Sequence, residues 1–139
     1  CYKINAMMCR FYNVYGPREP KIGDFATVVR KFIRQYENKQ PLTIVGDGEQ
    51  RRDFTHVDDI TDGLIQIMNK GEKKELYHSG RGVNYSINEL ANMFPNASLK
   101  YVPLRKGEGK VTLADYESTF KKLDWHAKIN LEDYLASYL

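Results

Sequence analysis

Residues 46–59, GDGEQRRDFTHVDD, contain the residue types in this chain that are best suited to hold an anion. Gly46 and Gly48 lack side chains, so main-chain amides near them can approach a negatively charged group closely. Arg51 and Arg52 follow, and a planar guanidinium donates two parallel, charge-assisted hydrogen bonds to phosphate oxygens. These residues are therefore compatible with a clamp for a phosphate or diphosphate, in which Arg52 is the first candidate and Arg51 the second.

A structural interpretation of the same residues is also open. A hairpin-like turn would place the arginines against acids of the same segment, which are Asp53, Asp58 and Asp59. Asp58 or Asp59 also precedes the apolar pattern of a helix, where an aspartate commonly acts as the N-cap. The spacing alone favours the structural interpretation, and the residues by themselves leave both open.

The elements around this segment alternate between strands and helices. Strands are predicted over residues 4–12, 42–46, 75–80 and 99–104, and helices over 24–39, 60–71, 86–94, 114–123 and 130–139. The apolar run INAMMCRFY at 4–12 is typical of a strand buried on both faces of a parallel sheet, and a loop is expected from Asn13. No domain boundary is visible, so the alternation predicts one α/β unit over residues 1–139.

Helix termini and core faces have local signals as well. The expected helix boundaries are the N-caps Asp24, Asp115 and Asn130, the capping box of Ser86 and Glu89, and the stop at Gly71. The expected core stripes are Phe25, Val28, Val29, Phe32, Ile33 and Tyr36 in one helix, and Ile60, Leu64, Ile67 and Met68 in the next.

Composition and missing motifs exclude several classes of protein. The chain has 139 residues, 42% of them apolar, and a net charge of +3 from scattered basic residues, so neither a nucleic-acid surface nor a membrane span is expected. Three isolated histidines and the absence of C-x-x-C or H-E-x-x-H predict no zinc site. Cys1 and Cys9 are expected to be unbridged, as in a reduced cytoplasmic protein. Because the chain opens on Cys1 and enters an apolar strand almost at once, we expect a C-terminal piece of a longer protein.

Three segments in order resemble one known family. They are CRFYNVYGPRE at 9–19, PLTIVGDGEQRRDFTHVDDITDGL at 41–64 and VPLRKGEGKVTLADYESTFKKLDWHAKINLEDYL at 102–135. Together they resemble the second half of extended short-chain dehydrogenases/reductases, and more narrowly NAD-dependent nucleotide-sugar epimerases and dehydratases of the UDP-glucose 4-epimerase type. The resemblance implies the C-terminal substrate-binding part of a Rossmann-type fold, with one strand of its parallel sheet and a small α/β subdomain.

The resemblance also implies binding roles for individual residues. Asn13 and Arg52 match residues that contact the diphosphate of the nucleotide sugar, and Arg105 matches a second arginine that reaches ribose or phosphate. The main chain of Thr43, Ile44 and Val45 matches the strand that lies against the base. Glu108 stands where the family usually has Asp and is expected to reach a ribose hydroxyl, while Thr112 is expected to line the sugar pocket. Tyr15, Gly16 and Pro17 match the loop near the nicotinamide ring of NAD.

Two elements of the family's catalytic apparatus do not occur in these 139 residues. They are the glycine-rich dinucleotide loop and the Tyr-x-x-x-Lys pair, whose tyrosine acts as a base while a hydride moves to NAD. The chain alone is therefore not expected to be an enzyme. Its expected function is to bind a nucleotide sugar, a UDP-hexose in particular, within an NAD-dependent 4-epimerase.

The expected partners and the rival functions follow from the same resemblance. The main partner would be a dinucleotide-binding half, and an open apolar edge at 4–12 would also allow pairing with another chain, for example in a homodimer. Two alternatives stay open: part of an NAD-dependent 4,6-dehydratase, and a non-catalytic module that binds nucleotide sugars or assists assembly.

Overall fold

The computed structural model describes residues 4–23, 25–104 and 106–139. Its elements follow in the order β1 (Met8–Phe11), β2 (Asn13–Tyr15), α1 (Val28–Glu37), β3 (Leu42–Val45), β4 (Arg51–His56), α2 (Val57–Lys70), β5 (Leu76–Ser79), β6 (Asn84–Ser86), α3 (Ile87–Asn92), β7 (Leu99–Val102), α4 (Tyr116–Leu123) and α5 (Leu131–Ala136). The predicted α/β class is confirmed.

The strands of the described residues form three small sheets. β1 pairs in parallel with β5, and β3 pairs in parallel with β7. The middle sheet has the order β2-β4-β6, in which β2 and β4 are parallel and β4 and β6 are antiparallel. The parallel pairs join strands that are far apart in the sequence, as βα units require.

The main core lies between α1, β3, α3 and α5. Ile33, Ile44, Leu90 and Leu131 are completely buried in it. A second cluster contains Ile67, Tyr77, Leu123 and Trp125 and packs α2 and α4 onto β5. These clusters fix the strands that carry the predicted site residues.

The first helix is shorter than the sequence predicts. α1 begins at Val28, where the Thr27 side chain accepts the N–H of Arg30 at 3.2 Å, and the predicted cap Asp24 lies outside the described residues. Phe25 was expected in the apolar stripe, but it precedes the helix and is 90% exposed. Apolar residues can keep helical spacing beyond the end of a helix, so the spacing alone does not locate the first residue. Here the N-cap Thr27 sets the start of α1.

The predicted strand over 4–12 is also shorter, and several of its apolar side chains are exposed in this chain. β1 covers only Met8–Phe11, and Ile4, Met8 and Phe11 are exposed. β1 hydrogen-bonds to β5, and no second neighbour of β1 is present among the described strands. In α2, Ile60 and Ile67 are buried as expected, whereas Leu64 and Met68 are exposed.

Three short strands were not predicted. The segment 51–56 was interpreted as part of a turn, yet it forms β4, which is buried at five of its six positions. The loop expected from Asn13 begins with β2, and β6 at Asn84–Ser86 precedes α3. The sequence of β4 lacks the apolar pattern of a buried strand, because it contains charged residues whose burial depends on partners elsewhere in the chain.

The remaining helix boundaries agree better with their local signals. The capping box of Ser86 and Glu89, the N-cap Asp115 and the stop at Gly71 are confirmed. Asn130 is the N-cap residue of α5, although its side chain makes no capping hydrogen bond to the helix. The expectation that Asp58 or Asp59 caps α2 is wrong, because the His56 side chain accepts the N–H of Asp58 at 3.2 Å.

Candidate functional site

A polar cleft of about 410 Å³ lies between α1 and the ends of β2, β3 and β4. It is lined by Asn13, Ala26, Val28, Lys31, Phe32, Arg34, Gln35, Thr43, Val45, Gln50, Arg52, Ile87 and Glu108. Five of the residues predicted to bind substrate are in this set. The structure therefore brings together the three segments that carry the resemblance, although Asn13 and Glu108 are more than two thirds of the chain apart.

Arg52 is the buried cation of this cleft. Its side chain is held by β4, and the residue is only 8% exposed. Nη1 donates to the main-chain oxygen of Arg51 at 2.9 Å, and Nη2 donates to Glu108 Oε1 at 2.5 Å. A guanidinium fixed in a partly dehydrated cleft attracts an anion more strongly than one on the open surface, because water screens it less.

Arg51 has a different role, so the prediction that it assists in the clamp is not supported by its position. Successive side chains of a strand point to opposite faces, and Arg51 is directed away from the cleft residues. Its guanidinium donates to Asn84 Oδ1 at 2.8 Å and to Glu89 Oε2 at 2.9 Å. The alternative prediction, that both arginines pair with Asp53, Asp58 or Asp59, is wrong, because their carboxylate partners are Glu89 and Glu108.

Asn13 and Thr112 are linked across the cleft wall. The Thr112 hydroxyl donates to Asn13 Oδ1 at 3.0 Å and accepts the N–H of Asp53 at 3.2 Å. Because Oδ1 of Asn13 is engaged, its Nδ2 amide is the group that can donate to a ligand oxygen. Thr112 is not among the residues that line the cleft, and it contacts the cleft through Asn13, which lines it.

The strand predicted to lie against a base is already hydrogen-bonded by two glutamines. Gln35 accepts the Thr43 N–H at 3.1 Å and donates to Thr43 Oγ1 at 2.8 Å, and Gln50 donates to the main-chain oxygen of Val45 at 2.9 Å. The Ile44 side chain is in the core, so only its main chain is available for such a role. Sequence reasoning missed both glutamines. Gln35 lies outside the segments that carry the resemblance, and Gln50 lies within the segment 41–64 but was assigned no role.

The loop predicted to approach NAD starts from a buried tyrosine. The Tyr15 ring is 1% exposed and lies 5.3 Å from the His56 ring and 5.1 Å from the Tyr134 ring. Burial raises the pKa of its hydroxyl well above the ordinary value. The Tyr15 side chain therefore packs in the core. The predicted contact with NAD is then limited to the main chain of Tyr15, Gly16 and Pro17.

Asp53 organises the loops around the cleft, and sequence reasoning did not identify it. Its carboxylate is completely buried and accepts the main-chain N–H groups of Arg81, Gly82 and Ala114 at 3.0, 2.9 and 3.0 Å. A second buried acid, Asp59, accepts the N–H groups at 128 and 129. The sequence carried no local signal for this role, because β4 itself was not predicted; within a strand, a buried acid is unusual unless it has partners.

Some predictions lie outside the described residues or concern absences. Arg105 is outside the described residues, as is Cys1; Cys9 is a free cysteine. Within the residues described, no group of three or more His, Cys, Asp or Glu is placed to hold a metal ion. Among the same residues, no helix is both long and apolar enough to span a membrane.

The fold and the cleft define an α/β protein with a buried arginine and an asparagine on the wall of a polar cleft. The model of the NAD dependent epimerase/dehydratase family matches residues 1–80. A UDP-glucuronate 4-epimerase of Thermodesulfobacterium geofontis is 33% identical over 139 residues, which are 95% of this chain and 41% of that protein. The chain belongs to the NAD-dependent epimerase/dehydratase family, so the resemblance found in the sequence is confirmed.

Two further comparisons agree with this assignment. UDP-glucuronic acid decarboxylase 2 of Arabidopsis thaliana is 31% identical over 133 residues, 92% of this chain and 29% of the relative. A solved structure of a UDP-glucuronic acid 4-epimerase from Bacillus cereus, in complex with UDP-glucuronic acid and NAD, superimposes on this chain with a TM-score of 0.86 at 29% sequence identity. The superposition covers 97% of this chain and 44% of the Bacillus cereus chain. NAD is the cofactor of this family. The chain spans less than half the length of each of these proteins.

Proposed function

We propose that this chain forms the nucleotide-sugar binding part of an NAD-dependent 4-epimerase that acts on a UDP-hexose. The observation that supports this most directly is the Arg52 guanidinium, which is 8% exposed and opens onto a 410 Å³ cleft shared with Asn13 and Glu108. In this proposal Arg52 and the Nδ2 amide of Asn13 donate to the diphosphate. Arg105 would supply a second cation from its separate segment, since one arginine alone leaves most of a diphosphate's charge unmatched.

The other site residues would bind the nucleoside and the sugar. The main chain of Thr43, Ile44 and Val45 would lie against the base, which requires Gln35 to release the Thr43 N–H. Glu108 would accept from a ribose hydroxyl once its carboxylate leaves Arg52. Thr112 would act on the sugar side of the cleft through Asn13, whose amide it orients. Relatives that act on UDP-glucuronate support UDP as the nucleotide.

This chain would contribute only a small part of the NAD site. The Tyr15 ring is buried, so the contribution is limited to the main chain of Tyr15, Gly16 and Pro17. NAD would accept a hydride from the sugar ring and return it. The tyrosine and lysine of the Tyr-x-x-x-Lys pair would come from a dinucleotide-binding part of the longer protein, because the 139 residues do not include that pair.

Calorimetric titration with UDP, UDP-glucose and UDP-glucuronate tests the proposal. The Arg52→Ala variant should bind each ligand at least about 30-fold more weakly, because a charge-assisted hydrogen bond contributes about 2 kcal/mol or more. Arg51→Ala is the matched control: it removes the same charge from the next residue, but from a side chain that contacts Asn84 and Glu89 instead of the cleft. It should change the affinity by no more than about threefold, because an exposed charge is screened.

Two results would overturn the proposal. One is equal affinity of the wild-type chain and Arg52→Ala for UDP. The other is a wild-type chain that is folded by circular dichroism and binds none of the three ligands at millimolar concentration.

The reaction on the bound sugar is tested with the complete protein. Conversion to the 4-epimer supports the epimerase, whereas a 4-keto-6-deoxy product would identify a 4,6-dehydratase. Loss of carbon dioxide from UDP-glucuronate would indicate a decarboxylase, a class that the Arabidopsis relative brings into consideration at 31% identity. Binding without any turnover in the presence of NAD would support the non-catalytic module.

A further inference from the structure

We propose that Glu108 forms an ion pair with Arg52, the proposed phosphate-binding arginine, before a ligand binds, and that this pairing makes the site select nucleoside diphosphates over a bare diphosphate. This inference rests on the proposed function of Arg52. It assigns Glu108 a role before the ligand arrives, in addition to the contact with a ribose hydroxyl that the resemblance implies.

The two side chains already form the contact that a phosphate would need. Arg52 Nη2 donates to Glu108 Oε1 at 2.5 Å, while Nη1 is held by a main-chain oxygen. The Arg52 side chain is 10% exposed and that of Glu108 is 26% exposed, so the pair lies in the cleft wall with restricted access to water. Carboxylate and phosphate oxygens accept from the same N–H groups of a guanidinium. A diphosphate must therefore displace the carboxylate to reach Nη2.

The loop that carries Glu108 can move more easily than the strand that carries Arg52. Glu108 lies between Gly107 and Gly109, and Gly107 has a φ of 84°, which favours glycine. A Cβ placed on either glycine would meet no described atom within 4 Å, so this part of the loop does not pack against the core. Arg52 is in β4, where it pairs with Tyr85 of β6. Exchange of the anion would consequently move Glu108 and leave the arginine in place.

The length of the Glu108 side chain matters for this contact. The family pattern has Asp at this position, whose carboxylate is one methylene closer to the main chain. With the loop as it stands, an aspartate would fall short of Arg52. Glutamate therefore turns a ribose-binding position into an internal competitor for the arginine.

The competition has a consequence for selectivity. Pyrophosphate has to break the Arg52–Glu108 pair, and it has no ribose hydroxyl that could donate a hydrogen bond to the released carboxylate. A nucleoside diphosphate offers a ribose hydroxyl, which can donate to that carboxylate and compensate for the lost pair. The affinity ratio of UDP to pyrophosphate is thus set in part by Glu108.

The test measures pyrophosphate and UDP binding by calorimetry to four chains: wild type, Glu108→Gln, Glu108→Asp and Glu117→Gln. Pyrophosphate affinity should rise about five- to thirtyfold in Glu108→Gln, the factor expected when one charge-assisted contact no longer has to be broken. It should also rise in Glu108→Asp, which keeps the charge but loses the reach. Glu117 is exposed in α4 and pairs with Lys121, so Glu117→Gln makes the same chemical change outside the cleft and should have no effect. UDP affinity should change less than pyrophosphate affinity in both Glu108 variants.

Two outcomes would overturn the inference while leaving the proposed function intact. One is equal pyrophosphate affinity in wild type and Glu108→Gln, with binding still lost in Arg52→Ala. The other is a rise in Glu108→Gln that is absent in Glu108→Asp, because the effect would then come from the net charge and not from the contact. Failure of the proposed function has a separate signature: Arg52→Ala would bind both ligands as well as the wild type does.

Discussion

Replacement of Asp53 by Asn should be among the most damaging conservative substitutions in this chain. The Asp53 carboxylate is completely buried. Oδ1 accepts the N–H of Arg81 at 3.0 Å and the hydroxyl of Thr55 at 3.2 Å, and Oδ2 accepts the N–H groups of Gly82 and Ala114 at 2.9 and 3.0 Å. Both oxygens thus accept two hydrogen bonds, and the four donors come from three parts of the chain.

The expected loss follows from these donors. An asparagine side chain has one oxygen and one NH₂ group, and its NH₂ group would take the Oδ1 position, because the Thr55 hydroxyl can turn and accept from it there while the N–H of Arg81 cannot. The buried N–H of Arg81 is then left without an acceptor, which costs about 1–3 kcal/mol. Because a domain of this size is stable by only about 5–15 kcal/mol, the variant should unfold at a lower urea concentration.

Urea unfolding followed by circular dichroism measures this loss. Asp47→Asn is the control, since Asp47 is exposed and its side chain accepts only the N–H of Glu49, at 3.0 Å, in the described part of the chain. The control should lose no more than about 1 kcal/mol. If Asp53→Asn were no less stable than Asp47→Asn, the carboxylate would not organise these loops and the reasoning would be refuted.

Two further predictions concern Gly16 and Cys9. A Cβ on Gly16 would lie 2.6 Å from Val57 Cγ1, and the residue has a φ of 150°, so Gly16→Ala should lower the free energy of unfolding by about 1–3 kcal/mol. In the control Gly109→Ala the added Cβ meets no described atom within 4 Å, and the loss should be about 0.5 kcal/mol or less. Equal urea midpoints of the two variants would contradict this prediction. Burial raises the pKa of the Cys9 thiol, so at pH 8 a smaller fraction of the thiol is thiolate in the folded chain than in the unfolded chain. In a Cys1→Ser background, iodoacetamide should therefore react more slowly with the folded chain than with the chain in urea, and the rate for the folded chain should still rise above pH 9. Equal rates at pH 8 would count against this prediction.

The sequence predicted those elements whose signals are local. The capping box of Ser86 and Glu89 and the cap at Asp115 involve residues only three positions apart, and the structure confirms both. The strand at Leu42–Val45 has a run of apolar residues between breakers and was predicted as well. Such features depend on neighbours along the chain, so tertiary contacts do not alter them.

Features that depend on distant partners were missed. β4 contains Arg52 and Asp53, whose burial is explained only by Glu108 and by the loops near 81 and 114. The cleft itself could be anticipated from the family resemblance but not from spacing, which favoured a structural turn. Neither Gln35 nor Gln50 was assigned a role from the sequence, and only the fold shows that they bind the β3 main chain.

The parallel pairings also constrain the order in which the chain can acquire structure. Met8 pairs with Leu76, and Leu42 pairs with Leu99, so each of these sheets must close a long loop before it gains any contacts. Topologies dominated by such non-local pairs fold slowly for their size. During synthesis, β1 can pair with β5 only after α2 and β5 have emerged. Among the strand pairs of the described residues, the antiparallel pair of β4 and β6 closes the shortest loop, so strand pairing would begin there.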